Sequence, residues 1–218
     1  MFSQYREIER DEFILCAVDT ASGGLDYTGA QFLSKNRIDV PLVFHSKVTT
    51  ADFIPKLSRV LESIFDKTGI KPVVALERQN GGAFLMDRLA GINYKGKYEI
   101  FHMPNFGKEE NAESVILGWD TNTATRPRML ADLKDAIDKR VITVYDKATI
   151  AEMFSFIIVQ TSSAWKAQAE KNSHDDLIMP LAIVWQMYQI CDVPTQNVED
   201  VIDQLPKEDD LFDDDGNY

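Results

Sequence analysis

"FILCAVDTASGGLDYTG", residues 13–29, is the stretch from which the fold can be read. The apolar run Phe13–Val18 stops abruptly at Asp19. A run that short, with no polar interruption, reads as a strand buried on both faces. Gly23, Gly24 and Gly29 supply turn residues just after it. Residues 30–34 read as a second strand. Residues 38–46, where Ile38, Val40, Leu42 and Phe44 alternate, read as a third, with a turn at Lys35 and Asn36 between them. The chain therefore opens as an antiparallel meander.

Beyond residue 50 the period changes. Phe53, Leu57, Val60, Leu61, Ile64 and Phe65 recur at helical spacing, which predicts an amphipathic helix over residues 51–67. "KPVVALE" is a short apolar strand ending at Glu77, and a helix opens near Gly82. Within residues 91–122, "YKGKYEIFHM" (residues 94–103) suggests a hairpin or an edge strand, with a loop from Pro104 to Ser114. "TRPRMLADLKDAIDKR" reads as a helix with Thr125 as N-cap and Pro127 in its first turn. A strand at "VITVYD", a helix over residues 148–153, a strand at "FSFIIVQ" and an apolar helix over residues 174–190 complete the order. The fold class is α/β: a mixed sheet, with a meander of three antiparallel strands plus parallel strands, flanked by helices.

The length, 218 residues, suits one sizeable domain. The net charge of −12 argues against a generic basic nucleic-acid binder. Residues 199–218 hold nine of the acids against the single Lys207. The expected division is therefore a domain over residues 1–195 and an acidic, disordered tail over residues 196–218. Cys16 and Cys191 lie in apolar runs and read as buried free thiols, consistent with a reducing compartment. No apolar run reaches the ~20 residues that a membrane span needs, so a soluble protein is expected.

Three acidic positions share a feature. Asp19 and Glu77 end strands, and Asp175 with Asp176 open the last apolar helix. If the two strands are neighbours, their carboxylates emerge at one end of the sheet, where sites form in α/β folds. The aspartate pair can be brought over the same spot. Carboxylates gathered there repel each other and need a cation, and an all-oxygen set suits Mg²⁺ or Mn²⁺. Singly, each residue has a plain structural reading. Asp19 can be a turn former, Glu77 a charged strand end, and Asp175 and Asp176 helix-start charges favoured by the macrodipole. There is no GxxxxGK[ST] motif, which excludes a P-loop ATPase. His45, His102 and His174 are dispersed in sequence, and neither cysteine has a CxxC partner, so a zinc site is not expected.

"AVDTASGGLDYTG", "VALERQNGGAFLMDRL", "GWDTNTATRPRMLADLKDAID" and "NSHDDLIMPLAIVW", in that order, resemble the C-terminal nuclease domain of tailed-bacteriophage large terminases. The resemblance covers roughly residues 10–190 and implies an RNase H-like and RuvC-like fold. It implies a divalent-metal-dependent endonuclease that cuts double-stranded DNA concatemers during viral genome packaging, with two ions of Mg²⁺ or Mn²⁺. Asp19, Glu77, Asp175 and Asp176 match the family's catalytic and metal-binding acids. His174 matches the residue before the acidic pair and is assigned a supporting role behind the metal ligands. Candidate DNA contacts are Arg78, Lys108, Arg126, Arg128, Lys166 and Lys171. The implied partners are DNA, an N-terminal ATPase domain of the same full-length protein, the portal protein and the small terminase subunit. The implied location is the host cytoplasm, with no membrane. The rival expectations are a non-catalytic docking module of the packaging motor and another RNase H-like nuclease, such as a junction resolvase.

Overall fold

A computed structural model describes residues 1–20, 27–104, 116–160, 165–169 and 175–194. The opening meander forms as the pattern predicts. Strands β2 (Ile14–Asp19), β3 (Thr28–Ser34) and β4 (Asp39–Ser46) follow β1 (Phe2–Gln4), an edge strand that the polar N-terminus did not suggest. Helix α1 (Thr50–Thr68) crosses to β5 (Val73–Leu76), which lies parallel to β2. Thr49 caps α1, its hydroxyl accepting from the Asp52 N–H at 3.2 Å. Gly69, at φ +76°, ends the helix in a left-handed turn.

The remaining elements are α2 (Gly82–Ile92), β6 (Glu99–Ile100), β7 (His102–Met103), β8 (Ile116–Leu117) and α3 (Thr125–Asp138). Next come β9 (Thr143–Val144), α4 (Lys147–Ser155), β10 (Phe156–Gln160), β11 (Trp165–Ala169) and α5 (Ile178–Ile190). The main sheet runs β1-β4-β3-β2-β5-β6, with β9 also pairing β4. Of the two forms expected within residues 94–103, the edge strand is the one present: β6 extends the sheet in parallel, while β7 pairs antiparallel with β8 in a separate two-stranded sheet.

Layering follows from the alternation along β2. Leu15 and Ala17 face a core shared with α3 and α5, while Ile14, Cys16 and Val18 face a core shared with α1 and α2. All five are fully buried, as a central strand covered on both faces requires. Burying one Leu or Ile contributes about 1.5–3 kcal/mol, so this strand anchors both layers. Helix α5 is apolar nearly all round and has cover to match. It lies on β2 and β3, with α3 and α4 packed against it. No helix among the described residues is long and apolar enough to cross a membrane.

Two sequence expectations about helix starts need correction. Thr125 does not cap α3; it is the helix's first residue. Asn122 caps instead, its Oδ1 accepting from the Ala124 and Thr125 N–H groups, both at 2.9 Å. The last helix begins at Ile178 rather than at residue 174, so Asp175 and Asp176 lie in the turn before it. Neither aspartate is its cap. That role falls to Glu152 of α4, whose Oε2 accepts from the Leu177 N–H at 2.9 Å and the Ile178 N–H at 3.2 Å.

Candidate metal centre

The sheet register builds the site. Asp19 pairs with Gly29, and Gly29 pairs with His45. On the other side, the β2–β5 pairing runs to Val18 opposite Leu76, and the Glu77 N–H donates to the Val18 carbonyl at 2.8 Å. Glu77, Asp19, Gly29 and His45 therefore form one row across four strands, at the end where β2, β4 and β5 finish. They stand on the face that α5 covers, because Ala17, Leu33, Val43 and Ala75 of the same parity pack in the α5 core.

The row has a gap at Gly29, and the turn before α5 fills it. A Cβ on Gly29 would lie 1.9 Å from the Asp176 carbonyl oxygen, so only glycine lets residues 175–176 rest on the sheet there. Gly82 plays the matching part under Glu77. A Cβ there would lie 1.6 Å from the Glu77 carbonyl oxygen. Glu77 is buried and is held on both sides by backbone pairing, to β2 and to Trp119.

The four acids named from the sequence are thus brought together. Burial pushes the Asp19 carboxyl far above the usual carboxylate range, and the neighbouring charge and hydrogen bond of Glu77, then the charges of Asp175 and Asp176, push it further. Internal positive charge at this end is limited. Arg126, in the first turn of α3, donates to Asp175 Oδ2 at 2.6 Å. His45 Nε2 is 3.9 Å from Asp176 Oδ2. The Thr20 hydroxyl, directly after Asp19, is buried without a hydrogen-bond partner among the described residues. An oxygen-rich cluster with surplus acid and an unsatisfied hydroxyl beside it suits a hard divalent cation.

The other predicted residues fall in different places. Arg126 is engaged with Asp175, so it reaches this site from within rather than standing free for DNA. The Arg78 Nη1 donates to the Leu117 carbonyl at 2.8 Å. Arg128 is largely exposed near Asp132. Lys108, Lys171, His174 and the tail over 196–218 lie outside the described residues, as does the Lys166 side chain. Two residues were not anticipated: His45 and Glu152. The His45, Glu152 and Asp176 ligand atoms lie within 4.8 Å of one another. Burial pushes Glu152 up to about 7, against the pull of the two backbone N–H groups that it accepts from.

The architecture matches that of known nucleases. The large terminase nuclease of thermophilic phage G20c, with bound magnesium, superposes with a TM-score of 0.60 over 84% of each chain, at 18% identity. The chain has the fold of a large terminase nuclease domain. The terminase nuclease domain of Thermus phage P74-26 gives a TM-score of 0.59 at 18% identity, over 86% of this chain and 84% of that one. The manganese-soaked terminase nuclease domain of human cytomegalovirus gives 0.56 at 10% identity, over 87% and 85%. No known sequence family and no curated relative matches the chain. At these identities the likeness establishes the RNase H-like terminase-nuclease fold; activity has to be argued from the residues.

Proposed function

We propose that the chain is a divalent-metal-dependent endonuclease that cuts double-stranded DNA during viral genome packaging. One observation carries the reading: Asp19, Glu77, Asp175 and Asp176, far apart in sequence, converge on one sheet end, where burial first and then the neighbouring carboxylates push the Asp19 carboxyl up. Such a cluster is at odds with itself at neutral pH unless a cation joins it. The terminase-nuclease fold supports the reading, and nucleases of that fold have been solved with magnesium, cobalt or manganese.

Asp19 and Glu77 would hold the ions from the sheet, and Asp175 and Asp176 from the turn above it. A bound pair of Mg²⁺ or Mn²⁺ ions supplies water activation and neutralisation of the phosphodiester's developing charge. The chain's own contribution is positional. Strand pairing fixes Glu77 and Asp19, Gly29 admits the Asp176 backbone, and Arg126 offsets the Asp175 charge while no ion is bound. Arg128, at the exposed start of α3, remains available to a DNA phosphate. With so acidic a chain, DNA binding by these residues alone would be weak and strongly salt-dependent. In the cell the reading places the chain in the host cytoplasm beside an ATPase domain, a portal protein and a small terminase subunit.

The test is digestion of supercoiled plasmid with Mn²⁺ or Mg²⁺ by the wild type, Asp19→Asn and Glu77→Gln. Cutting should need the cation and fall by about a hundredfold or more in both variants. Cutting that survives both substitutions would overturn the reading.

A further inference from the structure

His45 is the next-to-last residue of β4, separated from Asp19 by β3, and its ring is placed by Tyr27, with centroids 4.5 Å apart. Its Nε2 is shielded from solvent and has no hydrogen-bond partner among the described residues. That nitrogen is directed at Asp176 Oδ2, 3.9 Å away. Glu152 approaches from α4, and one ligand atom from each of the three residues falls within 4.8 Å of the others. Three separate elements therefore deliver one imidazole and two carboxylates to a single point.

Metal–ligand bonds of about 2.0–2.2 Å set donor atoms about 3–4 Å apart around an ion. The 3.9 Å separation of His45 and Asp176 already meets that spacing, and a Glu152 carboxylate oxygen lies within 4.8 Å of both. Capping α5 does not prevent Glu152 from ligating, because a carboxylate offers about four acceptor positions. A shielded imidazole nitrogen without a hydrogen bond is a cost to the fold, which a metal ion removes.

We propose that His45, Glu152 and Asp176 form a distinct site for a divalent transition-metal ion, beside the Asp19–Glu77 cluster. The site deepens the nuclease reading, on which it rests only for the role of the neighbouring acids. Its chemistry differs from that of the oxygen cluster. An imidazole ligand favours Zn²⁺, Co²⁺ or Mn²⁺ over Mg²⁺, which prefers oxygen and retains its water. Asp176 belongs to both groups, so an ion here would fix the orientation of the turn that the other site uses.

The experiment is calorimetric titration of the full chain with Zn²⁺, Mn²⁺ and Mg²⁺, in wild type, His45→Phe, Glu152→Gln and Asp19→Asn. Phe keeps a ring against Tyr27, and Gln keeps an acceptor for the Leu177 and Ile178 N–H groups. Both variants should therefore retain the wild-type melting temperature without added metal to within a few degrees. Wild type should bind a Zn²⁺ or Mn²⁺ ion that both variants bind about tenfold or more weakly. Asp19→Asn should keep that ion and lose Mg²⁺ affinity. Unchanged Zn²⁺ and Mn²⁺ binding in both His45→Phe and Glu152→Gln would overturn the proposal and leave His45 and Asp176 a simple polar contact. Plasmid cutting separates the two readings: if Asp19→Asn still cuts while His45→Phe loses the ion, the nuclease assignment fails and this site stands.

Discussion

Asp39 begins β4, and Glu12 lies just ahead of β2. Both are almost fully buried, and both are held by one guanidinium. Arg6 donates to Asp39 at 2.6 Å and to Glu12 at 2.8 and 2.9 Å, and the Tyr145 hydroxyl adds a bond to Asp39 at 2.9 Å. At the far end of the same strands stand Asp19, Glu77, Asp175 and Asp176, where Arg126 reaches Asp175 alone among the acids. The two ends titrate in opposite senses. Burial works against the Glu12 charge, but Arg6 and the Glu9 N–H overcome it and hold that carboxyl below the usual range. At the other end burial and like charges act together and raise Asp19. Where acids serve the fold, the chain supplies a forked cation of its own. Where it leaves acids in surplus, an exchangeable cation is the partner that the proposed function calls for.

Removing the internal cation should give the largest effect. Arg6→Ala leaves buried Asp39 without a cation and Glu12 with only the longer contact to Arg37 at 3.5 Å, and should cost about 3 kcal/mol, read by urea denaturation at neutral pH. A smaller loss there would mean that the two ends are less different than their contacts indicate. Gly29→Ala comes next. Its Cβ meets the Asp176 carbonyl, so the turn must lift from the sheet, at a cost of about 1–3 kcal/mol and with a loss of divalent-ion affinity measured by calorimetry. An unchanged affinity would show that Asp176 does not depend on its seat.

The pH response separates the ends by sign. Asp19 is raised, so between the ordinary carboxylate range and its raised value the folded chain keeps a proton that the unfolded chain has released. Metal-free stability should therefore fall as pH rises through that window. Glu12 is lowered, so its contribution is present above the unfolded value and is lost as pH falls through the folded one. Thermal melts in chelator from about pH 5 to about pH 9 should show the alkaline loss. Asp19→Asn or saturating Mn²⁺ should flatten it, and a slope that survives both would contradict the cluster's role. The smallest effect belongs to Arg126→Ala. The pair with Asp175 is about a third exposed, so stability should move by no more than about 0.5 kcal/mol. Mn²⁺ affinity should rise severalfold by calorimetry, because a competing cation is gone.

Legibility in the sequence followed the range of the forces involved. The β2–β3–β4 meander was readable because alternation and turn residues are local, and α1 because its apolar face repeats every turn. The acids Asp19 and Glu77 were readable as strand ends. The cap of α5 was not. Asp175 and Asp176 sit where a capping pair would, yet Glu152, from a different helix, makes the bonds. His45 was set aside as one of three scattered histidines; its pairing with Gly29 does not follow from a turn at Lys35 and Asn36, because Ser34 pairs with Asp39 and the register shifts between Phe32 and Ser34. Nothing local marks Glu152, since a glutamate on a short helix is ordinary until the tertiary contact exists.

By itself the sequence determined a central strand buried on both faces, the meander that begins from it, the helices that must cover it and the acids at its carboxyl end. Each of these follows from the order of polar and apolar residues over a few positions. Only the tertiary structure decided which cations answer which acids. It paired Arg6 with Glu12 and Asp39, left Asp19 and Glu77 without a guanidinium, turned Arg126 inward to Asp175 and set His45 against Asp176. The reason is physical. Electrostatic partners act over a few ångströms of space and take no account of separation along the chain, so charge balance is settled only once the layers have packed.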